Sequence, residues 1–298
     1  MSGPSGRPVD GVLGRARGLA THPWLPLAVA WFLLIALGTR HDPMVALLAV
    51  LGFGGAFVSS LVGIGGGIVI IPLLLFAPPL LGLPELGIKT VSGIAVAQVA
   101  SAAVAGALGH LHHGQVDRTL LVLLGASMTA TSLVAALVSA AIPADVVTAV
   151  FATMALAGAA LLLWLRAPAT AETLRPLGGR DRVVAVSGGG LIGILVGIVG
   201  SGNFFLVPLM LYVLRVPMRI AAGTSLSIIA FAGLAGLAGK ALTGQVDWLL
   251  ALGLVVAALP GGRLGSSISR RVRVDRLAVL LGSLVGLVAI RLWIDLLT

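Results

Sequence analysis

Of the 298 residues, 58% are hydrophobic and only 10% are charged, and the mean hydropathy is +1.13, which excludes a water-soluble domain. Cysteine is absent, so disulfides, thiol catalysis and thiolate metal sites are excluded. The net charge of +9 comes mostly from arginines in short connections between apolar runs, a pattern typical of membrane orientation rather than of nucleic-acid binding. We therefore expect one polytopic helical membrane domain that contacts lipid, since runs apolar on every side do not fit a transmembrane barrel.

The N-terminal part of the chain combines a basic arm with a first apolar stretch. Residues 1–22 are polar and hold three arginines, and an apolar run follows over 23–38. A signal peptide and a first transmembrane helix share this arrangement. Because no clear small-residue cleavage site ends the run and more spans follow, we interpret it as a first helix.

Eight further apolar segments are predicted to be helical. Two of them exceed 30 residues, which is longer than a hydrocarbon core of ~30 Å requires. Glycines interrupt both, at 63–67 and at 197–203. Since a glycine inside a helix costs about 1 kcal/mol, we expect each segment to unwind there and resume. The eight segments are 44–77, 91–109, 119–141, 145–165, 183–214, 220–239, 247–262 and 277–297.

The chain contains an internal repeat. Residues 63–74 align with residues 199–210, and the tetrapeptide Gly-Gln-Val-Asp at 114–117 recurs unchanged at 244–247. The landmarks keep their order, so the chain consists of two homologous halves. The predicted divisions are an N-terminal arm with the first helix (1–43), a first repeat (44–165), a cytoplasmic connector (166–182) and a second repeat (183–298).

The basic residues predict how the halves are oriented. If each glycine-broken segment doubles back, and the N-terminus is cytoplasmic, fifteen of the 19 basic residues lie inside; if the segments cross fully, the split is eleven against eight. The first version fits the positive-inside rule better and makes the halves antiparallel. The predicted fold is an all-α polytopic membrane protein with two four-segment halves as an inverted repeat. Each half opens with a glycine-broken, re-entrant helix, and one extra helix precedes them.

The distribution of charge points to a small anionic substrate. All ten acidic residues fall in connections or at segment ends, whereas cation carriers and proton relays usually need a carboxylate at mid-membrane. A glycine turn followed by a half-helix instead offers free backbone N–H groups and the positive end of a helix dipole. The predicted substrate-binding residues are Gly65, Gly66, Gly67, Thr90, Ser92, Ser201, Gly202, Asn203, Thr224 and Ser225.

Several polar residues also have structural explanations. Glycine and small hydroxyl residues allow close helix packing in membranes. Asp117 and Asp247 are expected to cap the helices that follow them rather than to bind substrate. Lys89 and Lys240 are expected to snorkel at the interface, with attraction of anions at the outer mouth as the alternative. For the histidines within 110–113, an interfacial loop is favoured over a metal or proton site.

The glycine motif within a duplicated helical array resembles the sulfite exporter TauE/SafE family, also called the 4-toluene sulfonate uptake permease family. The resemblance rests on GIGGGxxxxP at 63–72, its degenerate partner ending at Pro208, and Gly-Thr-Ser-Leu at 223–226. It covers about 44–297. Ser-Gly-Asn replaces the triple glycine in the second half, and Val91-Ser92 stands where that half has Thr224-Ser225, so two unequal half-sites are expected.

The resemblance implies a bacterial inner-membrane secondary transporter for sulfur-containing anions such as sulfite, sulfoacetate and other organosulfonates, with export as the implied direction. Alternating access around the two breaks is the expected mechanism. An anion channel, a carrier of another small organic anion and a non-transporting scaffold stay open as alternatives, as does a homo-oligomer. No enzyme activity, cofactor, metal or nucleic-acid partner is predicted, because no catalytic or nucleotide-binding pattern occurs.

Overall fold

The computed structural model describes residues 42–62, 67–111, 116–164, 177–269 and 274–297, and in these ranges the chain is helical without β-strands. The predicted first helix at 23–38 and Gly65, Gly66, His112 and His113 lie outside the described residues. Ten helices are described: α1 Pro43–Val62, α2 Gly67–Leu80, α3 Ile88–Leu111, α4 Arg118–Ser139, α5 Ala144–Trp164, α6 Gly179–Val199, α7 Asn203–Val213, α8 Met218–Leu242, α9 Trp248–Ser269 and α10 Val274–Leu297.

The helices confirm the predicted segments in chain order. Five stretches within them are long and apolar enough to span a bilayer: Arg118–Ser139, Ala144–Leu161, Gly179–Val199, Ile220–Leu242 and Val279–Leu297. Large apolar side chains also cover the outer surface; Leu191, Leu252 and Leu287 are each more than half exposed. Such a surface is stable in lipid and not in water, so the chain is a multi-pass membrane protein.

Each half of the chain packs mainly on the other half. Helix α1 packs against α9 and α4 packs against α6, while α3 packs against α8 and α5 against α10. In each of these pairs, one helix belongs to α1–α5 and its partner belongs to α6–α10. The two halves therefore form one interlocked helical array rather than two separate bundles.

Glycines allow α4 and α6 to pack closely and in parallel. A Cβ atom added at Gly189 would fall 3.1 Å from Leu124 Cα, and one at Gly193 would fall 2.9 Å from Met128 Cα. One turn further along, Gly197 faces Ser132. Each contact advances by four residues in both helices, so this is a small-xxx-small interface of the kind that membrane helices use.

Helices α3 and α8 cross in opposite directions. A Cβ atom at Gly233 would lie 3.1 Å from Ala100, and one at Gly236 would lie 3.4 Å from Val96. Residue numbers rise along α8 as they fall along α3, which makes the pair antiparallel. Residues near the start of α3 therefore lie beside the end of α8.

Two aspartates fix the starts of α4 and α9. The Asp117 carboxylate accepts a hydrogen bond from the Leu120 backbone N–H at 2.7 Å, and Asp247 accepts from Leu250 at 3.1 Å. These bonds satisfy backbone donors that the first turn of a helix leaves free. The predicted capping role of both aspartates is confirmed.

Candidate functional site

Helix α6 ends at a glycine-rich break. Gly200 has φ of +79° and Gly202 has φ of +137°, and Asn203 then begins the short helix α7. Residues with a Cβ atom rarely adopt such dihedrals. The chain then turns back along α6, because a Cβ atom at Gly188 would touch Leu209 of α7.

The first turn of α3 holds this break in place. Ser92 is fully buried, and its Oγ donates a hydrogen bond to the Ile198 carbonyl oxygen at 3.2 Å. A Cβ atom at Gly200 would collide with the Ser92 carbonyl oxygen. The absence of a side chain at Gly200 therefore lets α3 approach the end of α6.

The two glycine motifs meet at this point. A Cβ atom at Gly67, the first residue of α2, would lie 2.7 Å from the Ser201 Cβ atom. Beside it, Ile68 of α2 and Phe204 of α7 both approach Gly158 of α5. The structure thus brings together the start of α2, the break after α6 and the start of α3.

Two buried polar atoms lie at the break. Neither the Ser201 Oγ nor the Asn203 Oδ1 atom has a hydrogen-bond partner in the part of the chain that the structure describes, and the two residues are at most 3% exposed. An unpaired buried polar atom costs about 1–3 kcal/mol, and most such atoms in native proteins are paired. Two such atoms side by side make the break a candidate binding site.

Gln98 of α3 has the same property. Its side chain is 2% exposed, and its Oε1 atom has no hydrogen-bond partner within the described ranges. Gln98 lies within one turn of the crossing between α3 and α8, where Ala100 faces Gly233. The sequence analysis missed it, although it is the one amide side chain in the apolar segment 91–109.

The structure does not bring Thr224 and Ser225 to the break. The Thr224 Oγ1 atom accepts a hydrogen bond from the Asp117 backbone N–H at 3.0 Å, and the Ser225 Oγ donates to the Ala222 carbonyl oxygen at 3.0 Å. Along α8, Ser225 lies ~22 Å from Lys240, whose side chain reaches Ile198. Thr90, in the first turn of α3, is only partly buried.

Lys240 does not snorkel to the interface, and that prediction is wrong. The residue is fully buried. Its Nζ donates to the Ile198 carbonyl oxygen at 3.1 Å, to Ser139 Oγ at 3.2 Å and to Gln245 Oε1 at 3.2 Å. The reason is local: α4 and α6 end side by side, and the last residues of both helices supply oxygen acceptors around the ammonium group.

Gln245 and Lys89 complete this end of the array. The Gln245 Nε2 donates to Thr243 Oγ1 at 2.7 Å and to Ser139 Oγ at 3.1 Å. The Lys89 Nζ, which is only partly buried, donates to the Ala140 carbonyl oxygen at 2.7 Å. Both lysines therefore lie at the C-terminal end of α4.

Comparison with known proteins identifies the family. A family model described as "Sulfite exporter TauE/SafE" matches residues 48–292. The chain belongs to this family. It is 26% identical over 251 residues to the "Probable membrane transporter protein YunE" of Bacillus subtilis (strain 168), an alignment that covers 79% of this chain and 92% of the relative.

Further relatives carry the same description. The chain is 29% identical over 254 residues to a "Probable membrane transporter protein" of Xylella fastidiosa (strain 9a5c), with 82% of this chain and 92% of the relative covered. A protein with the same description from Xylella fastidiosa (strain Temecula1 / ATCC 700964) has the same identity and coverage. No solved structure matches the chain. The TauE/SafE chain is thus a membrane transporter by family.

An apolar groove of about 480 Å³ opens beside the break of this TauE/SafE transporter. It is lined by residues of α5 together with Leu195 and Phe205. The Thr153 hydroxyl, the one polar side chain in the lining, is already bonded to the Ala149 carbonyl oxygen at 2.8 Å. The groove therefore offers no free donor to an anion, in contrast with Ser201 and Asn203. Within the described ranges, no group of three or more His, Cys, Asp or Glu residues is arranged to hold a metal ion.

Proposed function

We propose that this TauE/SafE transporter exports small sulfur-containing anions such as sulfite, sulfoacetate or other organosulfonates, and that the break after α6 binds them. The observation that carries the proposal is the pair of buried, unpartnered polar atoms on Ser201 and Asn203. A serine hydroxyl donates hydrogen bonds to anionic oxygens, and so does the Nδ2 of an asparagine amide. Rotation of the Asn203 amide exchanges the positions of its Oδ1 and Nδ2 atoms. Gly67 packs directly against Ser201, and a Cβ atom at this position would collide with the serine side chain.

The charge around the break supports an anion rather than a cation. Asp117 and Asp247 cap helices, and Asp145 and Asp181 lie in the first turns of α5 and α6. Asp295, near the end of α10, forms an exposed ion pair with Arg291 at 3.0 Å. These carboxylates therefore lie at helix ends, where they do not act as mid-membrane ligands for a cation.

An inverted repeat with two re-entrant breaks is the architecture that we propose for this transport. Three features of the array support it: the helix order of the two halves, the pairing of helices between them, and the antiparallel crossing of α3 and α8. In such repeats, substrate binds where discontinuous helices meet, and one half moves against the other to open each side in turn. The meeting of Gly67 and Ser201 provides that point here.

The distribution of basic residues supports a bacterial inner-membrane protein with a cytoplasmic N-terminus. Helices α4 and α6 run in parallel, so Arg118 and Arg180 lie at one end of the array. Lys89 and Lys240 lie at the opposite end. Under the positive-inside rule, the end with the arginines is cytoplasmic.

Labelling of single cysteines tests this topology. The cysteine-free chain offers Gly178 before α6 and Gly244 after α8 as positions for single cysteines. A Cβ atom at Gly178 has only the Asp181 carboxylate nearby, at 3.6 Å, and one at Gly244 meets no atom within 4 Å. Gly244 has φ of +70°, so each variant is first checked for its level in the membrane. An impermeant thiol reagent should label Gly178→Cys only from the cytoplasm and Gly244→Cys only from outside. Labelling of both from one side would contradict the inverted arrangement.

Uptake into proteoliposomes tests the transport itself. Purified protein should accumulate radiolabelled sulfite and sulfoacetate with saturable kinetics, and unlabelled substrate on the inside should accelerate entry by counterflow. Saturation with counterflow identifies a carrier. Conductance without counterflow would identify a channel instead, and neither signal with either anion would reject the proposed substrate class.

A further inference from the structure

A buried positive charge without a carboxylate partner lies next to the proposed site. The Lys240 ammonium is fully buried, and the acceptors that surround it are the neutral oxygens of Ile198, Ser139 and Gln245. Among the described residues, no carboxylate forms an ion pair with it. The charge of Lys240 is thus solvated by dipoles alone.

Dipoles offset only part of the cost of burying an ammonium group. Isolated buried charges are strongly unfavourable, and they are normally paired with an opposite charge. The C-terminal ends of α4 and α6 contribute partial negative charge, but Lys89 adds a second positive charge at the same end of the array. A membrane protein that keeps such a charge therefore has a position at which a mobile anion is favourable.

The contacts place this charge at the break that we propose as the binding site. Its acceptor Ile198 lies three residues before Ser201, and Ser92 donates to the same carbonyl oxygen. Ser92 in turn packs on Gly200. Any movement of residues 198–203 upon binding therefore changes the surroundings of Lys240 directly.

The internal repeat shows which residues around Lys240 have counterparts in the other half. At the spacing of 130 residues that relates the two Gly-Gln-Val-Asp sequences, Ser139 corresponds to Ser269 and Gln245 corresponds to Gln115. At the same spacing, Lys240 corresponds to His110. The neutral residues thus occur in both halves, whereas the lysine occurs in one.

We propose that Lys240 supplies the positive charge that recognises the transported anion, and that the Ile198 carbonyl oxygen holds its ammonium group before the anion binds. When an anion binds at Ser201 and Asn203, the ammonium group exchanges Ile198 for an anionic oxygen. This exchange frees the end of α6 from α8. The inference rests on the proposed anion transport and adds the residue that makes it charge-selective.

Three variants separate charge recognition from a merely structural role. Lys240→Gln removes the charge and keeps a hydrogen-bonding side chain. Lys89→Gln is the matched control, because it removes the other lysine at the same end of the array. Ser139→Ala removes one acceptor of Lys240 and leaves the charge. Each variant is assayed for uptake of sulfoacetate, which carries two negative charges, and of ethanesulfonate, which carries one.

Charge recognition predicts a specific pattern of transport constants. Lys240→Gln should raise the KM for sulfoacetate roughly tenfold to a hundredfold, as expected for a lost hydrogen bond to a charged group. The same variant should raise the KM for ethanesulfonate by a smaller factor. Lys89→Gln and Ser139→Ala should leave the KM ratio of the two anions unchanged. An unchanged ratio in Lys240→Gln, or equal losses of Vmax in Lys240→Gln and Ser139→Ala, would overturn the proposal. If the wild type transports neither anion, the proposed function itself fails.

A measurement on the wild type keeps the proposal testable if Lys240→Gln does not fold. Lys89 and Lys240 are the only lysines in the chain, so mass spectrometry after acetylation resolves both side-chain amines. Saturating sulfoacetate should lower the acetylation rate of Lys240 relative to Lys89, because the anion pairs with the ammonium group. A Lys240-to-Lys89 rate ratio that sulfoacetate does not change would overturn the proposal.

Discussion

Two groups of glycines, one inside α6 and one after its end, have different structural roles. Gly189, Gly193 and Gly197 lie inside the helix and face the backbone of α4, where a side chain would have no space. Gly200 and Gly202 lie after the helix, where their positive φ angles let the chain turn back. The first group serves packing, and the second serves backbone conformation.

The polar atoms beside the two groups of glycines differ in their hydrogen bonding. At the α4–α6 interface, the Thr131 Oγ1 donates to the Gly190 carbonyl oxygen at 2.9 Å, and the Ser132 Oγ donates to that of Ala232 at 2.9 Å. At the break, Ser201 and Asn203 each carry an atom without a partner among the described residues. Glycine content alone therefore does not distinguish the two regions, and the proposed site rests on the unsatisfied polar atoms.

The largest predicted effect is on the packed interface. Gly193→Ala should destabilise the protein by about 3 kcal/mol, because the added methyl group meets the backbone of Met128 and the Thr131 side chain, and backbone cannot easily move. Thermal unfolding in detergent measures this loss. Gly190→Ala is the matched control, since its Cβ atom would lie 3.7 Å from Thr131 Cγ2, and equal destabilisation by both would contradict close packing at Gly193.

The next effect concerns the dihedrals of the break. Gly202→Ala should lower stability by about 2 kcal/mol, since an alanine at this φ is strained, and it should abolish transport. Its Cβ atom would also lie 2.9 Å from that of Leu195. Gly125→Ala serves as control, because its Cβ atom would make ordinary contacts at 3.5 Å with Ile228. Full transport by Gly202→Ala would show that the break does not need its conformation.

A smaller effect is expected at Ser201, where a substitution should weaken substrate binding without lowering stability. Ser201→Ala removes an oxygen that has no hydrogen-bond partner among the described residues, so stability should stay the same or rise. The KM for sulfite should increase roughly tenfold, equivalent to about 1.4 kcal/mol. Ser127→Ala is the control, since its hydroxyl already bonds within α4 at 2.9 Å. A loss of stability without a change in KM would assign Ser201 to packing.

The smallest effect is expected at a helix cap. Asp247→Ala should cost about 1 kcal/mol of stability, the usual value for an N-cap, and should leave the KM for sulfite unchanged. Melting curves and uptake assays on the same preparation test both statements. Thr148→Ala on the exposed face of α5 should change stability by less than about 0.5 kcal/mol. A raised KM in Asp247→Ala would show that this carboxylate takes part in transport and is not only a helix cap.

The sequence predicted the features that depend on neighbours along the chain. The apolar segments and the caps at Asp117 and Asp247 follow from local composition and spacing. Their physical causes act within one or two helical turns. These predictions are therefore confirmed in the described residues.

Features that depend on distant parts of the chain were not predictable. Lys240 is one turn from the end of α8, a position typical of a snorkelling lysine, and only the convergence of α4 and α6 buries it. Ser92 and Ser225 hold similar positions in the two halves, yet they are distant because α3 and α8 run in opposite directions. A repeat in the sequence does not show on which side of such a crossing each copy lies.

Equilibrium binding of radiolabelled sulfite to purified protein tests most directly whether the break after α6 is the substrate site. The wild type and the double variant Ser201→Ala/Asn203→Ala are compared in detergent, with Gly190→Ala as a folded control. We predict saturable binding by the wild type and by Gly190→Ala, and a dissociation constant at least tenfold higher for the double variant, about 1.4 kcal/mol or more. Equal affinity of the folded double variant and the wild type would contradict the account.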